Sequence, residues 1–260
     1  MFVIAAPGSG SGAARLARWL ARRPLRNARI AVVEALVGPD WRARDDRWPE
    51  IDTAELRRRL ATLRHQFPRL ARIEHDPRLA LNVTRVAEWF PQAKFVFLYR
   101  DARECLASAL TRWQTARRPH PSGVCLANGQ AWVGPLPPGW SRWTRRPLPE
   151  VVAWQWAATT TRALDALDAL PADRWCVASF DRLLTDADRE DRRLRGFLGL
   201  RSTSADVPVA FAQADETSPD PRLWRPYAEA LTPEVLKLAA PAADRAVRLF
   251  AEAPRTRVRR

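Results

Sequence analysis

The stretch FPQAKFVFLYRDARECLASAL, from Phe90 to Leu110, holds the strongest strand signal of the chain, and a helical pattern follows it directly. Residues 94–99 (KFVFLY) are aromatic, β-branched or apolar after the first, which is typical of a strand buried on both faces of a parallel sheet. The next residues have helical spacing over Ala102–Thr115. We therefore expect a central strand, a sharp turn and a helix.

Two polar side chains are placed by this strand and helix. Arg100 follows the strand at once, and Ser108 lies eight residues further on, about two turns along the helix. Ligands of parallel sheets bind at the carboxyl ends of the strands, and a guanidinium fork with a hydroxyl suits a phosphate monoester. The alternative is that Arg100 forms a structural ion pair with Asp101 at the helix start.

The rest of the chain alternates strands and helices in the same way. Further strands are predicted at Phe2–Ala6, Arg29–Glu34, Leu70–Glu74 and Trp175–Phe180, and further helices at Ser11–Arg22, Asp52–His65, Leu81–Phe90, Glu150–Leu170, Asp186–Phe197 and Pro233–Ala251. This order predicts an α/β fold with a mainly parallel central sheet flanked by helices.

Composition limits the class of protein. The 260 residues are 47% hydrophobic and 28% charged, which predicts one globular domain over residues 1–252 and a disordered basic tail over 253–260. Three widely spaced cysteines, no apolar run near the roughly 18 residues that span a bilayer, and no signal-peptide order predict a cytoplasmic protein without a metal site or a membrane span. The net charge of +14 is nearly all arginine and indicates either a basic solvated surface or a site for a polyanionic ligand. No nucleic-acid motif accompanies it.

The segment 117–149 interrupts this pattern. It contains seven prolines, four glycines and three tryptophans, too many breakers for regular structure and too many aromatic residues for a disordered linker. We expect an ordered loop or lid. Its tryptophans (Trp132, Trp140 and Trp143) either present a flat surface to an apolar acceptor or pack within the loop, and the latter is favoured; His120 is predicted to lie at the surface.

The first predicted strand ends in a run of small residues, Pro7–Gly12. No lysine follows a glycine there, which excludes a Walker A loop. The run Gly8-x-Gly10-x-x-Ala13, with Glu34 ending the next strand, fits a dinucleotide fingerprint; alternatively, the backbone N–H groups and hydroxyls of this loop hold a 5′-phosphate at a helix start, or the turn holds nothing.

Several segments, in order, resemble the sulfotransferases that use 3′-phosphoadenosine-5′-phosphosulfate (PAPS), in particular their bacterial branch. They are the Arg100–Ser108 spacing, HDPRLAL (75–81), LPPGW (136–140) with VVAWQW (151–156), residues 170–200 ending in FLGL, and SPDPRLWRPYAEAL (218–231). The resemblance implies a P-loop-like sulfotransferase fold, with Arg100 and Ser108 on the 3′-phosphate. It also implies that the cofactor contacts Gly8, Ser9, Gly10, Ser11, Gly12, Ala13, Phe180, Arg222, Trp224 and Arg225.

The implied reaction is transfer of a sulfuryl group from PAPS to a hydroxyl or amine of a small-molecule acceptor, leaving 3′-phosphoadenosine-5′-phosphate (PAP). Glu34 is the candidate general base, and His75 stands where the family usually has a lysine. Gly8 replaces the usual basic residue of the loop and Gly12 its last hydroxyl. Two alternatives remain open: a degenerate family member that binds the nucleotide without turnover, and an NAD- or FAD-binding oxidoreductase. The oligomeric state is also open, with a homodimer as one option.

Overall fold

A computed structural model of the chain describes residues 2–5, 52–66, 74–75, 77–116, 120–199 and 224–252. The predicted helix Ser11–Arg22, the predicted strand Arg29–Glu34 and the tail 253–260 lie outside these residues.

A parallel sheet of four strands forms the centre of the described structure. The strands are β1 (Phe2–Ala5), β2 (Glu74–His75), β3 (Phe95–Tyr99) and β4 (Trp175–Ser179). Their spatial order is β2-β1-β3-β4, and β3 pairs with β1 from Phe2↔Phe95 and with β4 up to Tyr99↔Ser179. All four strands run the same way, so their carboxyl ends meet at one edge.

Helices surround this sheet. They are α1 (Thr53–Gln66), α2 (Val83–Trp89), α3 (Ala102–Thr115), α4 (Leu148–Asp168), α5 (Phe180–Thr185), α6 (Ala187–Leu198) and α7 (Pro233–Glu252), with 3-10 turns at Pro77–Leu81, Trp140–Trp143 and Arg225–Tyr227. The α/β fold with a parallel sheet flanked by helices is therefore confirmed.

The quoted stretch folds as expected because local signals agree with burial. Phe95, Val96, Phe97 and Leu98 are each at most 2% exposed, as the apolar run requires for an interior strand. Asp101 then caps α3, since its side chain accepts hydrogen bonds from the backbone N–H groups of Arg103 and Glu104. This cap turns the chain sharply at the end of β3 and leaves Arg100 at the sheet edge.

The buried side chains form two clusters. The sheet core contains residues of β3, β4, α2 and the second half of α4, including Phe95, Phe97, Val177, Leu164 and Leu167. The second cluster, called the cap cluster here, contains no strand residue. It joins α3, residues 124–143, the first half of α4 and the start of α7, with Leu110, Trp113, Trp132, Val152, Trp156 and Val235 among its members.

Helix α4 links the two clusters and shows where the cap cluster stands. Its carboxyl end lies near the amino ends of β3 and β4, because Phe95 N–H donates to Arg174 C=O (2.8 Å) and Arg174 Nε donates to Ala93 C=O (3.2 Å). A helix of 21 residues is about 31 Å long, whereas a strand of five residues spans about 17 Å. The first half of α4 therefore extends past the carboxyl edge of the sheet, and the cap cluster stands beyond that edge.

Two predicted elements differ from those observed for local reasons. The predicted helix Leu81–Phe90 is a 3-10 turn followed by α2, because Asn82 intervenes between them. The predicted strand Trp175–Phe180 stops at Ser179, whose hydroxyl caps the short helix α5 by accepting from Arg182 N–H (3.3 Å). The predicted strand Leu70–Glu74 appears as Glu74–His75, while residues 70–73 lie outside the described residues.

Candidate active site at the carboxyl edge of the sheet

Arg100 is the central residue of the carboxyl edge. It follows the last residue of β3, and its side chain is only 6% exposed. Tyr99 is paired with Ser179 of β4, so the residue after each strand meets the other across the edge. That neighbour is Phe180, and the Arg100 guanidinium carbon lies over its ring, 4.6 Å from the centroid. A buried cation is thus placed at the edge, over an aromatic ring.

The counter-charge of Arg100 is Glu104, one turn along α3. Arg100 Nη2 lies 3.5 Å from Glu104 Oε2, which is at the long limit for a hydrogen bond, where 2.9 Å is usual. Within the described part of the chain this is the one hydrogen bond of the guanidinium group, which carries five N–H donors. The fork is therefore only partly occupied by protein groups and retains donors for an anion.

Two further carboxylates surround this cation. Partial loss of hydration raises the pKa of Asp181, although the side chain remains exposed; the positive charge of Arg100 opposes this shift, and the negative charge of Asp101 adds to it. Asp101 is already engaged as the cap of α3. The edge therefore combines one buried positive charge with nearby acidic side chains that partly neutralise it.

Ser108 lies on α3, four residues after Glu104, and is half-buried. Residues four apart on a helix share a face, so Ser108 lies on the face of α3 that also carries Glu104, the partner of Arg100. Helical spacing therefore places Ser108 on the same side of α3 as Arg100, one turn beyond Glu104. The two side chains make no direct contact with each other in the described part of the chain.

The segment that begins at Trp224 packs on an adjacent face of α3. The Trp224 ring lies 5.7 Å from the Arg103 guanidinium carbon, and Tyr227 Oη is 2.7 Å from Thr111 Oγ1. Trp224 is half-buried, whereas Arg225 is exposed. Both predicted cofactor contacts therefore belong to a segment held against the helix that carries Ser108.

Other predicted site residues are placed only in part. His75 is the last residue of β2 rather than part of the following turn, and it pairs with Val3, so its backbone lies at the carboxyl end of a strand beside β1. Several predicted residues lie outside the described residues, namely Gly8, Ser9, Gly10, Ser11, Gly12, Ala13, Glu34 and Arg222.

The cap segment, residues 120–147, contains three tryptophans that pack against other aromatic rings. Trp132 is fully buried, its Nε1 donates to Pro135 C=O (2.9 Å), and its ring meets those of Trp113 and Trp140 edge-on. Trp143 stacks on Trp154 of α4, with ring centroids 5.1 Å apart. The tryptophans of this segment therefore pack among themselves and against α3 and α4.

His120 was wrongly predicted to lie at the surface. It is 3% exposed, and its Nδ1 lies 2.6 Å from Ser122 Oγ, because the cap segment folds back so that His120 N–H donates to Trp132 C=O. Its proline-rich context gave no sign of this long-range contact.

Gln155 of α4 fastens the cap segment to α3. It is fully buried; its amide nitrogen donates to Val133 C=O (2.9 Å) and Pro135 C=O (2.6 Å), and its oxygen accepts from Trp113 Nε1 (3.3 Å). One side chain thus joins three elements of the cap cluster. Sequence patterns did not single out Gln155, although a glutamine inside an apolar helical run is an available signal.

Three buried polar groups follow on the same helix. Trp156 Nε1, Thr159 Oγ1 and Thr160 Oγ1 have no hydrogen-bond partner among the residues that the structure describes, and both threonines are fully buried. The threonines lie one turn before Ala163, which packs in the sheet core, and Trp156 lies two turns before it, so the three groups are near the level of the carboxyl edge. Such groups raise the energy of the fold, since each unpaired buried donor or acceptor costs about 1–3 kcal/mol.

Metal and membrane features are not seen in the part of the chain that the structure describes. There, no group of three or more His, Cys, Asp or Glu side chains is arranged to hold a metal ion. None of the helices described is both long enough and apolar enough to cross a bilayer.

Comparison with known families and solved structures gives matches over most of the chain. The model of the sulfotransferase family matches residues 12–204. The sulfotransferase domain of the Synechococcus PCC 7002 olefin synthase superposes with a TM-score of 0.52 at 16% identity, over 93% of each chain. This likeness agrees with the observed fold.

Two further solved structures are similar over most of their length. The sulfotransferase from Alicyclobacillus acidocaldarius has 18% identity and a TM-score of 0.49, over 97% of this chain and 96% of its own. The sulfotransferase domain of the curacin biosynthetic pathway has 13% identity and a TM-score of 0.48, over 92% and 95%. Among curated protein sequences, none matches this chain significantly.

Proposed function

The chain belongs to the sulfotransferase family, and from this we propose that it transfers the sulfuryl group of PAPS to a hydroxyl or amine of a small-molecule acceptor. The observation that carries the proposal is the partly occupied guanidinium fork of Arg100 at the carboxyl edge, with Ser108 on the same side of α3. An arginine fork and a hydroxyl suit the 3′-phosphate that distinguishes PAPS from common adenine nucleotides.

The chemistry of Arg100 fits such an anion. Because the side chain is 6% exposed, water competes weakly for its N–H groups, and a charge-assisted hydrogen bond there is stronger than one at the surface. The long contact with Glu104 takes one nitrogen only. A phosphate that approaches from the cap side would complete the remaining donors and accept from Ser108.

The reaction itself needs positioning, charge stabilisation and removal of a proton. The acceptor oxygen or nitrogen attacks sulfur in line with the leaving phosphate oxygen of PAP, by analogy with phosphoryl transfer. Arg100 and Ser108 bind and orient the adenosine end. We assign proton removal to Glu34, polarisation of the transferring group to His75, and the 5′-phosphosulfate to the backbone of Gly8–Ala13.

Two structural observations support placing the site at the carboxyl edge of the sheet. His75 ends β2 at the same edge as Arg100, and the Trp224 segment lies against α3. We propose that Trp224, Arg222 and Arg225 close over the nucleotide, that residues 1–252 form one domain, and that the reaction takes place in the cytoplasm.

A second candidate is a family member that binds the nucleotide without turnover. The sequence observation behind it is Gly8, which stands where the family usually has a basic residue, together with Gly12 in place of a hydroxyl. Both candidates require PAP binding, and they differ in whether PAPS is consumed in the presence of an acceptor.

Thermal stability in the presence of nucleotides tests the proposal. A ligand at 100 times its dissociation constant adds about 2.7 kcal/mol to the free energy of unfolding. We expect PAP to raise the melting temperature, and NAD, FAD and adenosine 5′-phosphate to have little effect. A clear shift with NAD and none with PAP would favour the oxidoreductase alternative and overturn the proposal. Release of PAP from PAPS with a panel of hydroxyl and amine acceptors then separates the enzyme from the binding protein.

A further inference from the structure

The guanidinium plane of Arg100 is held from two directions. The guanidinium carbon lies over the ring of Phe180, 4.6 Å from its centroid, and Glu104 contacts one of the two terminal nitrogens at 3.5 Å. The two partners come from different elements, α5 and α3, so neither moves with the Arg100 side chain when that side chain changes its rotamer. The orientation of the fork is therefore defined by the surrounding fold.

Phe180 itself is anchored firmly. It is 3% exposed and directly follows Ser179, the last residue of β4. The N–H of Ser179 donates to Glu190 Oε1 (3.2 Å), and Glu190 is in turn paired with Arg193 at 2.6 Å. This network joins the end of β4 to α6 and fixes where the Phe180 ring lies.

We propose that Phe180 is a positioning residue that sets the preference of the site for nucleotides carrying a 3′-phosphate. This proposal rests on the proposed function, in which Arg100 binds that phosphate. An arginine binds phosphate best when its planar fork is already aligned, because less side-chain freedom is then lost on binding. The ring and Glu104 hold the guanidinium group in place and leave its other N–H donors to the ligand.

This role differs from the one that the family resemblance implies. The resemblance predicts that Phe180 contacts the cofactor itself, whereas the structure buries its ring beneath Arg100. A direct contact would stabilise every adenine nucleotide alike. An effect through Arg100 would stabilise only those with a 3′-phosphate.

The test compares two ligands that differ by that group. Dissociation constants of PAP and of adenosine 5′-phosphate are measured by calorimetry for the full chain and for Phe180→Leu. We expect PAP to bind about tenfold more weakly to the variant, the effect of losing a desolvated cation–π contact, and adenosine 5′-phosphate to bind within about twofold of wild type. Phe180→Tyr, which keeps the aromatic face, should restore PAP affinity.

A matched control is available elsewhere in the molecule. Phe197 also carries a cation over its ring, Lys94 at 4.7 Å, and it belongs to α6 rather than to the edge. Phe197→Leu should leave the ratio of the two affinities unchanged. If Phe180→Leu fails to fold, as judged by circular dichroism, Phe180→Met takes its place, since methionine fills the space without an aromatic face.

A double variant shows whether the ring acts through Arg100. In an Arg100→Ala background, Phe180→Leu should cause no further loss of PAP affinity, because no fork remains to be oriented. Equal weakening of both nucleotides, or a full further loss in that background, would overturn the inference in favour of direct contact. If wild type fails to bind PAP, the proposed function fails; if it binds and the affinity ratio is unchanged in Phe180→Leu, only the inference fails.

Discussion

Replacing Gln155 with leucine tests how the cap segment is held over the carboxyl edge. The side chain is fully buried and makes three hydrogen bonds, to Trp113, Val133 and Pro135. Leucine has nearly the same volume but no polar atoms. Among the residues that the structure describes, Trp113 Nε1 and Val133 C=O have no other hydrogen bond and would lose theirs, while Pro135 C=O keeps its bond from Trp132 Nε1.

The expected cost follows from those two groups. Each buried polar group left unpaired costs about 1–3 kcal/mol, and the leucine gains some apolar contact, so the net loss is about 3 kcal/mol. For a chain of this length that corresponds to a melting temperature about 6–12 °C lower. The cap segment should also become sensitive to trypsin, because Arg142 and Arg145 are exposed in it and would be released from a fixed backbone.

Calorimetric melting and limited proteolysis measure the two effects. Gln130→Leu is the matched control, since Gln130 is half-buried and its side chain makes one bond, from Nε2 to Trp113 C=O at 3.2 Å; its loss should cost less than about 1 kcal/mol. If Gln155→Leu has the same melting temperature as wild type and its cap segment is equally resistant to trypsin, Gln155 does not fasten this segment.

Three other predictions concern buried polar groups. Thr160→Val should stabilise the protein by about 1 kcal/mol in thermal unfolding, because it removes a buried hydroxyl that has no hydrogen-bond partner in the described part of the chain; loss of stability would show that the hydroxyl is paired. Burial raises the pKa of the Cys176 thiol to about 12, so it stays neutral at pH 8, and iodoacetamide followed by mass spectrometry should label exposed Cys125 while leaving Cys176 unmodified; equal labelling would contradict this. Arg195→Met should destabilise the fold by about 3–5 kcal/mol in denaturant titration, since it leaves the buried Asp191 carboxylate without its partner at 2.6 Å; an unchanged midpoint would refute it.

The sequence predicted the elements whose local signals and burial coincide. Strand β3 and helix α3 follow from an apolar run, a capping aspartate and helical spacing, and the parallel sheet follows from the alternation of strands and helices. The signals of β3 and α3 lie within about 20 consecutive residues, so no knowledge of distant contacts is needed to predict them.

The contacts of Phe180 were beyond such patterns. Its meeting with Arg100 depends on β3 and β4 being neighbours in register, which joins residues 80 positions apart in the chain. In the sequence, Phe180 also resembles the last residue of the predicted strand, because it is apolar. Only the structure shows that Ser179 ends the strand and caps the helix that begins at Phe180. The pairing of Glu104 with Arg100 was easier to infer, because an acid four residues after an arginine near a helix start often forms a local ion pair.

For the cap segment, the sequence predicted that the chain is ordered but not which contacts order it. Its composition predicted order without predicting how the order arises, because prolines and glycines specify turns but not the partners of a buried tryptophan. The cap segment is held by tertiary contacts: Gln155 of α4 donates a hydrogen bond to it, and Trp132 packs against Trp113 of α3.

The central claim, that this edge of the sheet binds a 3′-phosphoadenosine nucleotide through Arg100, is tested most directly by calorimetric titration of the full chain with PAP, in parallel with Arg100→Ala. Charge-assisted hydrogen bonds contribute about 1.5–3 kcal/mol each, so the account predicts saturable binding to wild type and an affinity about 10- to 100-fold lower for the variant, with its circular dichroism unchanged. No binding of PAP to wild type, or equal affinity for the two proteins, would contradict it.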